Sequence, residues 1–306
     1  MSDSEDKKKM QEQFIADIQK RVSKMTPAEM LFKYKGILYS SVMSSGKTIQ
    51  AMETLEARKD DILIMTYPKC GTNWSLEILN EILTAIHNKE PSKDFGVLEF
   101  GKPEKYQKLN QLPSPRLFTS HVTYGILPKS FLEKTKILLI LRNPKDTAVS
   151  FFHFYNKNPV LPKYESWDLF FKDFITGNVI YGSYFDYHLE WNKHIDSGNL
   201  LAITFEELKE DFPTKVKKIC EFYGLTLTEE QIKLVQEKTT FAFMKEKSAT
   251  THGSMGDVFF RKGEVGDWKS LFTEEQSKEV DVKFEKYLAG TKLGEMINCA
   301  KYCTYK

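Results

Sequence analysis

Residues 61–74, DILIMTYPKCGTNW, constrain the fold more than any other stretch of the chain. A short apolar run ends before a Tyr-Pro pair, and a loop with one Lys and one Gly then leads into an amphipathic segment. A buried strand that passes through a tight turn into a helix presents free backbone N–H groups to an anion. Lys69 adds a positive charge, Gly71 allows close backbone approach, and Thr72 can hydrogen-bond a phosphate oxygen. The stretch therefore predicts a phosphate-binding loop.

The composition is that of a globular protein, with 41% hydrophobic and 28% charged residues among 306. The formal net charge of +2 is too small to indicate nucleic acid or an anionic membrane as a partner, so any anion site must be built locally. No apolar run approaches the roughly 18–20 residues that span a bilayer, and the charged N-terminus is unlike a secretory signal. We therefore expect a cytosolic protein whose four cysteines stay reduced.

Short apolar strands alternate with helical patterns along the chain. Strands are predicted at 61–67, 116–120, 136–141 and 199–205, each apolar and bounded by polar residues, as in parallel strands buried on both faces. This alternation predicts one α/β domain around a central parallel sheet. The helical patterns lie at 73–87, 144–156, 167–176, 181–197, 211–223 and 228–237.

The predicted domain covers residues 14–306, and the polar residues 1–13 are predicted to be a disordered tail. Apolar positions predict a helix over 14–32 that caps the domain, followed by a loop-rich stretch that includes Gly36. Residues 239–270 carry several glycines and lose the helical periodicity, which predicts a long functional loop.

Two alternative interpretations of the anion motifs fit less well. Gly46-Lys47-Thr48 ends like the common Gly-x4-Gly-Lys-Ser/Thr cradle, but Ser41 occupies the first position and no strand precedes it. A catalytic Cys70 thiolate, as in a phosphatase, normally needs an Arg six residues later, where this chain has Leu76. We therefore assign phosphate binding to a variant cradle that contains Lys69.

A second anion site is predicted after strand 136–141. Arg142 lies at the carboxyl end of that strand, where parallel sheets bind ligands. Asn143 and Pro144 suit the cap and first turn of a helix, and Ser150 follows about two turns later. This arrangement allows Arg142 and Ser150 to face one crevice.

A flexible basic loop is predicted at residues 260–269, FRKGEVGDWK. Its two adjacent cations and two glycines suit closure over a phosphate. Two separate phosphate sites indicate a nucleotide that is phosphorylated at both ends. Trp74 and Phe241 offer faces on which a base can stack, although core packing is the commoner role of such rings.

Three segments, TYPKCGTNW, RNPKDTAVSFFHF and FRKGEVGDWK, together resemble the cytosolic sulfotransferases in order and spacing. The resemblance covers nearly the whole chain from about residue 30, and the first segment is most like the 6B subfamily. It implies transfer of a sulfonate from 3′-phosphoadenosine 5′-phosphosulfate (PAPS) to a hydroxyl or amine. It further implies a P-loop-like, three-layer α/β/α fold and no metal.

The resemblance also implies roles for residues of this chain. Lys69 neutralises the leaving oxygen of the donor, and His121 resembles the general base, a task that suits an imidazole with a pKa of about 6.5. Arg142, Ser150 and the loop 261–263 bind the 3′-phosphate. The implied donor site comprises Lys69, Cys70, Gly71, Thr72, Asn73, Trp74, Arg142, Ser150, Phe205, Thr239, Thr240, Phe241, Ala242, Phe243, Met244, Phe260, Arg261, Lys262 and Gly263.

Several positions depart from the family pattern. Thr119 stands where many relatives have a Lys two residues before the histidine, and Phe205 stands where a Tyr often contacts adenine. A short dimerisation motif keeps Lys269 but has Glu274 in place of Val and Lys278 in place of Glu. We therefore expect slow turnover or an unusual acceptor, and a monomer or weak homodimer.

The expected acceptor is a small hydrophobic molecule such as a phenol, a steroid or an iodothyronine, with no nucleic acid or membrane as partner. One alternative is a catalytically weak protein that binds PAPS or its product PAP. A nucleotide kinase is a second alternative, but it should have the full cradle and carboxylates for Mg²⁺. The aromatic residues that could touch an acceptor are Tyr34, Tyr39, Phe100, Phe151, Phe152, Phe154, Tyr155 and Phe259.

Overall fold

The computed structural model describes residues 13, 16–88, 96–251 and 255–305, and four parallel strands form its central sheet. The order of the strands across the sheet is Leu117–Ser120, Ile62–Thr66, Lys136–Leu141 and Leu200–Thr204. Each of these strands lies within one residue of its predicted bounds, which confirms the predicted α/β fold with one parallel sheet. In chain order the strands are β1 (Leu31–Tyr34), β2 (Ile37–Ser40), β3 (Ile62–Thr66), β4 (Leu117–Ser120), β5 (Lys136–Leu141) and β6 (Leu200–Thr204).

Helices follow the strands and cover both faces of the sheet. Asn143 caps the helix after β5 by accepting a hydrogen bond from the Asp146 backbone N–H, and Pro144 occupies its first turn, as predicted. The helices are α1 (16–22), α2 (Gly46–Ala51), α3 (Thr72–His87), α4 (Lys105–Gln111), α5 (Lys129–Lys134), α6 (Pro144–Lys157), α7 (Trp167–Thr176), α8 (Tyr184–Asn192), α9 (Phe205–Glu210), α10 (Phe212–Tyr223), α11 (Glu229–Lys238), α12 (Phe241–Thr251), α13 (Gly256–Phe259), α14 (Glu274–Tyr287), α15 (Lys292–Ile297) and α16 (Cys299–Tyr302).

Alternate strand residues belong to two separate cores. Ile62 and Ile64 of β3 pack with α3, α10 and α11, whereas Leu63 and Met65 pack with α6, α7 and α8 on the other face. Because side chains alternate along a strand, a sheet that is apolar at every position must be covered twice. The result is the predicted three-layer α/β/α arrangement.

The prediction for the N-terminal region is wrong in part. The predicted helix over 14–32 is shorter, because residues 16–22 are helical and Leu31 already begins β1. The predicted loop-rich stretch is an antiparallel hairpin of β1 and β2. Lys35 and Gly36 both have positive φ, at 48° and 83°, which is the geometry of a tight two-residue hairpin turn. The predicted tail 1–13 lies outside the described residues except for Gln13, which is helical.

The predicted long loop at 239–270 is also wrong in part. It contains the helices α12 and α13 and a 3₁₀ turn at Asp267–Ser270. The segment 241–251 lacks an apolar stripe, so periodicity alone missed it, but Ala, Met, Lys and Glu are good helix formers. Within the described part of this segment, residues 239–240 and the basic stretch 260–266 lie outside the helices.

Candidate active site

The carboxyl ends of the four parallel strands meet at one edge of the sheet, where a cavity of about 670 Å³ opens. Each strand supplies a cavity residue directly after or near its end: Lys69 after β3, His121 after β4, Arg142 after β5 and Phe205 after β6. The other predicted residues that line this cavity are Gly71, Thr72, Asn73, Trp74, Ser150, Thr239, Thr240, Phe241, Met244, Phe260, Arg261, Lys262 and Gly263.

The loop between β3 and α3 has a strained, closely packed backbone. Lys69 has a φ of 71°, and Gly71 has a φ of 116°, which L side chains rarely adopt. A Cβ atom at Gly71 would lie 3.2 Å from the Phe205 ring. Thr72 begins α3, so the backbone N–H groups of its first turn need partners from outside the helix. This is the geometry of a phosphate-binding loop.

The Cys70 side chain faces away from the cavity. Its Sγ lies 3.7 Å from Thr147 Oγ1 on α6, and the residue is fully buried. Burial raises the pKa of the thiol to about 12, so it stays protonated. Cys70 is not a nucleophile here, and only its backbone belongs to the loop.

Arg142 ties the loop after β3 to the basic loop. Its Nη1 donates to the Lys69 carbonyl at 3.2 Å, and its Nη2 donates to the Glu264 carbonyl at 2.8 Å. The guanidinium carbon lies 4.5 Å from the centre of the Phe205 ring. Arg142 therefore joins three of the segments that carry predicted donor-binding residues.

The basic loop is held by two carboxylates. Asp267 accepts hydrogen bonds from both Arg261 and Lys262, and these bonds keep its pKa low despite burial. Asp146 of α6 accepts from the backbone N–H of Gly266 at 2.8 Å and of Trp268 at 2.9 Å. The Arg261 and Lys262 side chains are thus fixed at the cavity rather than free in solvent.

The cations of this region fit an anionic ligand. We call Lys69, Arg142, Arg261 and Lys262 the cationic lining. The Nε atoms of Arg142 and Arg261 are buried and have no hydrogen-bond partner among the described residues. Buried donors without partners are costly, and an anion that accepts from them removes the cost.

The ionisation of Lys69 depends on its burial and on the neighbouring cations. Burial, together with the charges of Arg142 and Arg261, lowers its pKa to about 7. Its Nζ also lies 4.4 Å from the centre of the Phe154 ring. A phosphate next to Lys69 would restore the charged form, so this side chain can neutralise an oxygen that becomes negative.

The His121 ring is oriented as a base. Its Nδ1 lies 2.9 Å from the carbonyl oxygen of Thr66 and 3.0 Å from Thr66 Oγ1. Since a carbonyl oxygen only accepts, Nδ1 carries the hydrogen in the neutral ring and Nε2 keeps its lone pair. Burial lowers the pKa of His121, and Lys69 lowers it further, while Glu99 and the bond to Thr66 raise it. The imidazole is therefore neutral at neutral pH and can accept a proton at Nε2.

Aromatic rings line the cavity beside the cations. Trp74 Nε1 donates to the Thr239 carbonyl at 2.9 Å, and the Trp74 and Phe205 ring centres are 5.0 Å apart. Phe241 packs against Gly263, where a Cβ atom would lie 2.5 Å from the Phe241 ring and φ is 67°. Glycine at 263 is therefore required for the basic loop to approach this ring.

The structure does not place Ala242 or Phe243 in the cavity lining. Both are exposed on α12, Phe243 at 42%, whereas Phe241 and Met244 on the same helix do line the cavity. Four consecutive helical residues cannot all face one side of a helix. The predicted contact of Ala242 and Phe243 side chains with the donor is therefore corrected.

A second set of cavity residues is apolar. We call the following residues the apolar lining: Ile18, Met43, Phe100, Val160, Leu161, Ile180, Tyr181, Val258 and Phe259. Of the aromatic residues predicted to touch an acceptor, only Phe100, Phe154 and Phe259 line the cavity, within the described part of the chain. Tyr39, Phe151 and Tyr155 are buried in the core, and Tyr34 and Phe152 pack against it.

Sequence reasoning missed the buried acids that hold the site together. Glu99 accepts a hydrogen bond from the His121 backbone N–H at 3.0 Å, and Glu206 accepts from the Asn143 N–H at 2.9 Å. Asp146 was noted only as part of a motif. Burial raises the pKa of Glu206, against its bonds to Asn143. An acid in the first turn of the helix that follows a strand, as at Glu206 and Asp146, is a signal that could have identified two of the three.

Among the described residues, no three His, Cys, Asp or Glu side chains lie together in a way that could hold a metal ion. None of the helices described is both long and apolar enough to cross a membrane.

Comparison with known proteins identifies the family. The family model named "Sulfotransferase domain" matches residues 59–292 of this chain. The chain is 48% identical to mouse sulfotransferase 6B1 over 292 residues, which cover 95% of this chain and 96% of that protein. Zebrafish (Danio rerio) sulfotransferase 6B1 is 46% identical, with coverage of 92% and 96%. The chain therefore belongs to the sulfotransferase family.

Its relatives place it in the 6B subfamily, which confirms the prediction from the first segment, and it is a PAPS-dependent sulfotransferase. The structure is similar to that of mouse sulfotransferase SULT7A1 complexed with PAP, with a TM-score of 0.79 and 35% identity. That match covers 88% of this chain and 97% of the other. Retinol dehydratase, at 21% identity and a TM-score of 0.68, shares the fold.

Proposed function

We propose that the chain transfers a sulfonate group from PAPS to a hydroxyl or amine of a small hydrophobic acceptor, with Lys69 and His121 as catalytic residues. One observation carries the proposal. A single cavity is lined by the predicted base, by the Lys at the predicted leaving group, and by Arg142 and Arg261. A mouse relative of 35% identity has been solved in complex with PAP, which supports PAP and PAPS as ligands of this cavity.

The cationic lining and the aromatic rings would hold the donor. The loop after β3 offers free N–H groups and Lys69 to the 5′-phosphate. Arg142, Ser150 and the loop 261–263 would bind the 3′-phosphate, and the unpartnered Nε atoms of both arginines support this role. Trp74 and Phe241 would flank the adenine.

His121 and Lys69 act at opposite ends of the transfer, at the acceptor and at the leaving group. His121 Nε2 takes the proton of the acceptor while the acceptor oxygen or nitrogen forms its bond to sulfur. Lys69 neutralises the phosphate oxygen that keeps the electron pair of the broken S–O bond. Before the donor binds, burial keeps the His121 imidazole neutral near pH 7 and lowers the pKa of Lys69 to about 7, so that about half of it is neutral. Positioning and charge neutralisation supply most of the catalysis in such loose, in-line transfers.

The apolar lining favours an acceptor that is small and hydrophobic, such as a phenol, a steroid or an iodothyronine. Its residues offer mainly aliphatic and aromatic surface. Thr119 also lines the cavity, where the family resemblance leads one to expect a Lys. We propose that Lys69 alone supplies the positive charge at the leaving group.

The alternative is a catalytically weak protein that binds PAP or PAPS, and the uncharged Thr119 favours it. A transfer assay with labelled PAPS and a panel of phenols, steroids and iodothyronines separates the two. We expect wild-type transfer to at least one acceptor and a loss of about 10²-fold or more for His121→Ala, since general bases contribute this much. The affinity for PAP should change less than about twofold in that variant, because His121 binds no phosphate in this proposal.

Two results would each contradict a part of this proposal. Tight PAP binding without transfer to any acceptor would support the weak binder. Transfer that survives His121→Ala undiminished would keep the sulfotransferase but remove its base. Localisation in the cytosol remains a prediction that cell fractionation can test. A monomer or weak homodimer remains a prediction that sedimentation of the protein can test.

A further inference from the structure

Glu99 is a fully buried carboxylate directly behind His121. Its backbone segment is fixed by hydrogen bonds, since the Leu98 N–H donates to the Thr119 carbonyl at 2.8 Å. Ser44 Oγ donates to the Glu99 carbonyl at 2.5 Å. A buried charge is costly unless hydrogen bonds surround it, so a carboxylate at this position calls for a function or a strong structural reason.

Two donors converge on the Glu99 carboxylate. Ser120 Oγ donates to Oε2 at 2.7 Å, and the His121 backbone N–H donates to Oε1 at 3.0 Å. Burial raises the pKa of the Tyr181 hydroxyl, and the charge of the neighbouring Glu99 raises it further. Glu99 therefore adjoins both the His121 backbone and the Tyr181 residue whose ring packs against the imidazole.

Tyr181 holds the other side of His121. The two ring centres are 5.1 Å apart, with the planes at 66°. Tyr181 has a φ of 65°, which is rare for a residue other than glycine, and its N–H donates to the Leu38 carbonyl at 2.8 Å. Such conformations persist where the surroundings over-determine them, often at functional sites. The backbone conformation of Tyr181 therefore holds its ring against the imidazole.

We propose that Glu99 is a positioning residue for the sulfonate transfer, which fixes the orientation of His121 and stabilises the imidazolium that forms when Nε2 takes the acceptor proton. The inference rests on the proposed function of His121. Glu99 does not touch the ring, so it acts through the backbone N–H, through the Tyr181 ring and through its charge. The proton itself passes from the acceptor to Nε2 and leaves to solvent after transfer.

The groups around His121 shift its pKa in opposite directions. Lys69, from the loop after β3, lowers the pKa of His121, and burial lowers it more. Glu99 raises it and is the largest opposing influence. The Tyr181 hydroxyl is neutral, because burial raises its pKa far above the ordinary value. Without the Glu99 charge, the imidazole should become a weaker base.

The test compares two variants. Glu99→Gln keeps the shape of the side chain and removes its charge, whereas Tyr181→Phe keeps the ring and removes only the hydroxyl. The readout is the pKa of His121 in the folded protein, followed by NMR on histidine-labelled enzyme. His121→Ala identifies its signal among the six histidines. We expect Glu99→Gln to lower that pKa by roughly one unit and kcat at pH 7 by roughly tenfold. Tyr181→Phe should leave the pKa equal or higher, because the carboxylate keeps its charge.

A merely structural role would change the pKa of His121 alike in both variants, since each loses a polar group near the imidazole. An unchanged His121 pKa in Glu99→Gln, or an equal fall in both variants, would overturn the proposal. If Glu99→Gln does not fold, Glu99→Asp retains the charge and should keep a near-wild-type pKa, and a fall there would equally overturn it. The NMR titration needs no acceptor, so it tests the influence of Glu99 on His121 separately from the transfer assay that tests the proposed function.

Discussion

The cationic lining and the apolar lining of the cavity are built in different ways. Each cationic residue follows a strand end or lies in the basic loop. Arg142 is fixed by bonds to the main-chain carbonyls of Lys69 and Glu264, and the basic loop by Asp267. The apolar residues come from segments scattered between Ile18 and Phe259. A site for a charged ligand is thus encoded locally, whereas a hydrophobic site is assembled from remote parts of the chain.

The two linings also differ in the energy that binding releases. Burial, together with the charges of Arg142 and Arg261, lowers the pKa of Lys69 to about 7, and a bound phosphate would favour its charged form. Affinity at the cationic lining should therefore fall with salt and depend on exact geometry. Affinity at the apolar lining should follow the area buried, at about 25 cal/mol per Å², and tolerate several shapes. The donor should be specific and the acceptor adaptable.

The largest expected effect is that of Lys69→Met, which keeps the chain length and removes the charge. We expect kcat to fall about 10³-fold, since a group aimed at developing charge contributes this much. The affinity for PAP should fall less, because the backbone N–H groups and Arg142 still hold the phosphates. Single-turnover transfer and PAP titration measure the two quantities on the same enzyme.

Lys209→Met is the matched control for Lys69→Met. Lys209 also lines the cavity, but its Nζ lies 5.7 Å from the centre of the Trp74 ring, beside the aromatic residues. It should change kcat less than about twofold, because it is not aimed at the leaving oxygen. Equal losses in the two variants would show that general positive charge, not Lys69 itself, drives the transfer.

A smaller effect is expected for Arg261→Ala. Its loss should weaken PAP about tenfold to a hundredfold, from a charged hydrogen bond of about 1.5–3 kcal/mol, and adenosine 5′-phosphate much less. The neighbouring Lys262→Ala is the comparison and should weaken PAP less, because its side chain is 46% exposed against 19% for Arg261. Calorimetric titration with both nucleotides gives the ratio. An equal loss for both nucleotides would refute the 3′-phosphate assignment for Arg261.

The sequence predicted the strands, the layers and the cationic lining because each depends on neighbours in the chain. A buried strand, the loop after it and the next helix cap are visible within about ten residues, as at Lys69 and Arg142. The helix α12 was missed because its residues face both a cavity and solvent without a clear stripe. The hairpin of β1 and β2 was missed because its turn, Lys35-Gly36, carries only one strong turn residue.

The contacts that hold His121 could not be predicted, because they join distant segments. Glu99 lies 22 residues before His121. Tyr181 reaches the same ring from the segment before α8. A single sequence does not show such pairs, and a buried acid has no local pattern that distinguishes it from a surface acid. The apolar lining was unpredictable for the same reason.

The smallest expected effect separates the two linings most sharply. Phe100→Ala removes a ring of the apolar lining, and Phe205→Leu removes the ring between Arg142 and Trp74 while keeping an apolar side chain. We expect Phe100→Ala to raise the acceptor KM about fivefold, from roughly 1 kcal/mol of lost apolar contact, with PAP affinity unchanged. Phe205→Leu should weaken PAP by a similar factor and leave the acceptor KM unchanged, because stacked and cation–π contacts are worth about 1 kcal/mol. If either variant altered both quantities equally, the two linings would be one coupled surface, and the contrast between a locally encoded donor site and an assembled acceptor site would not hold.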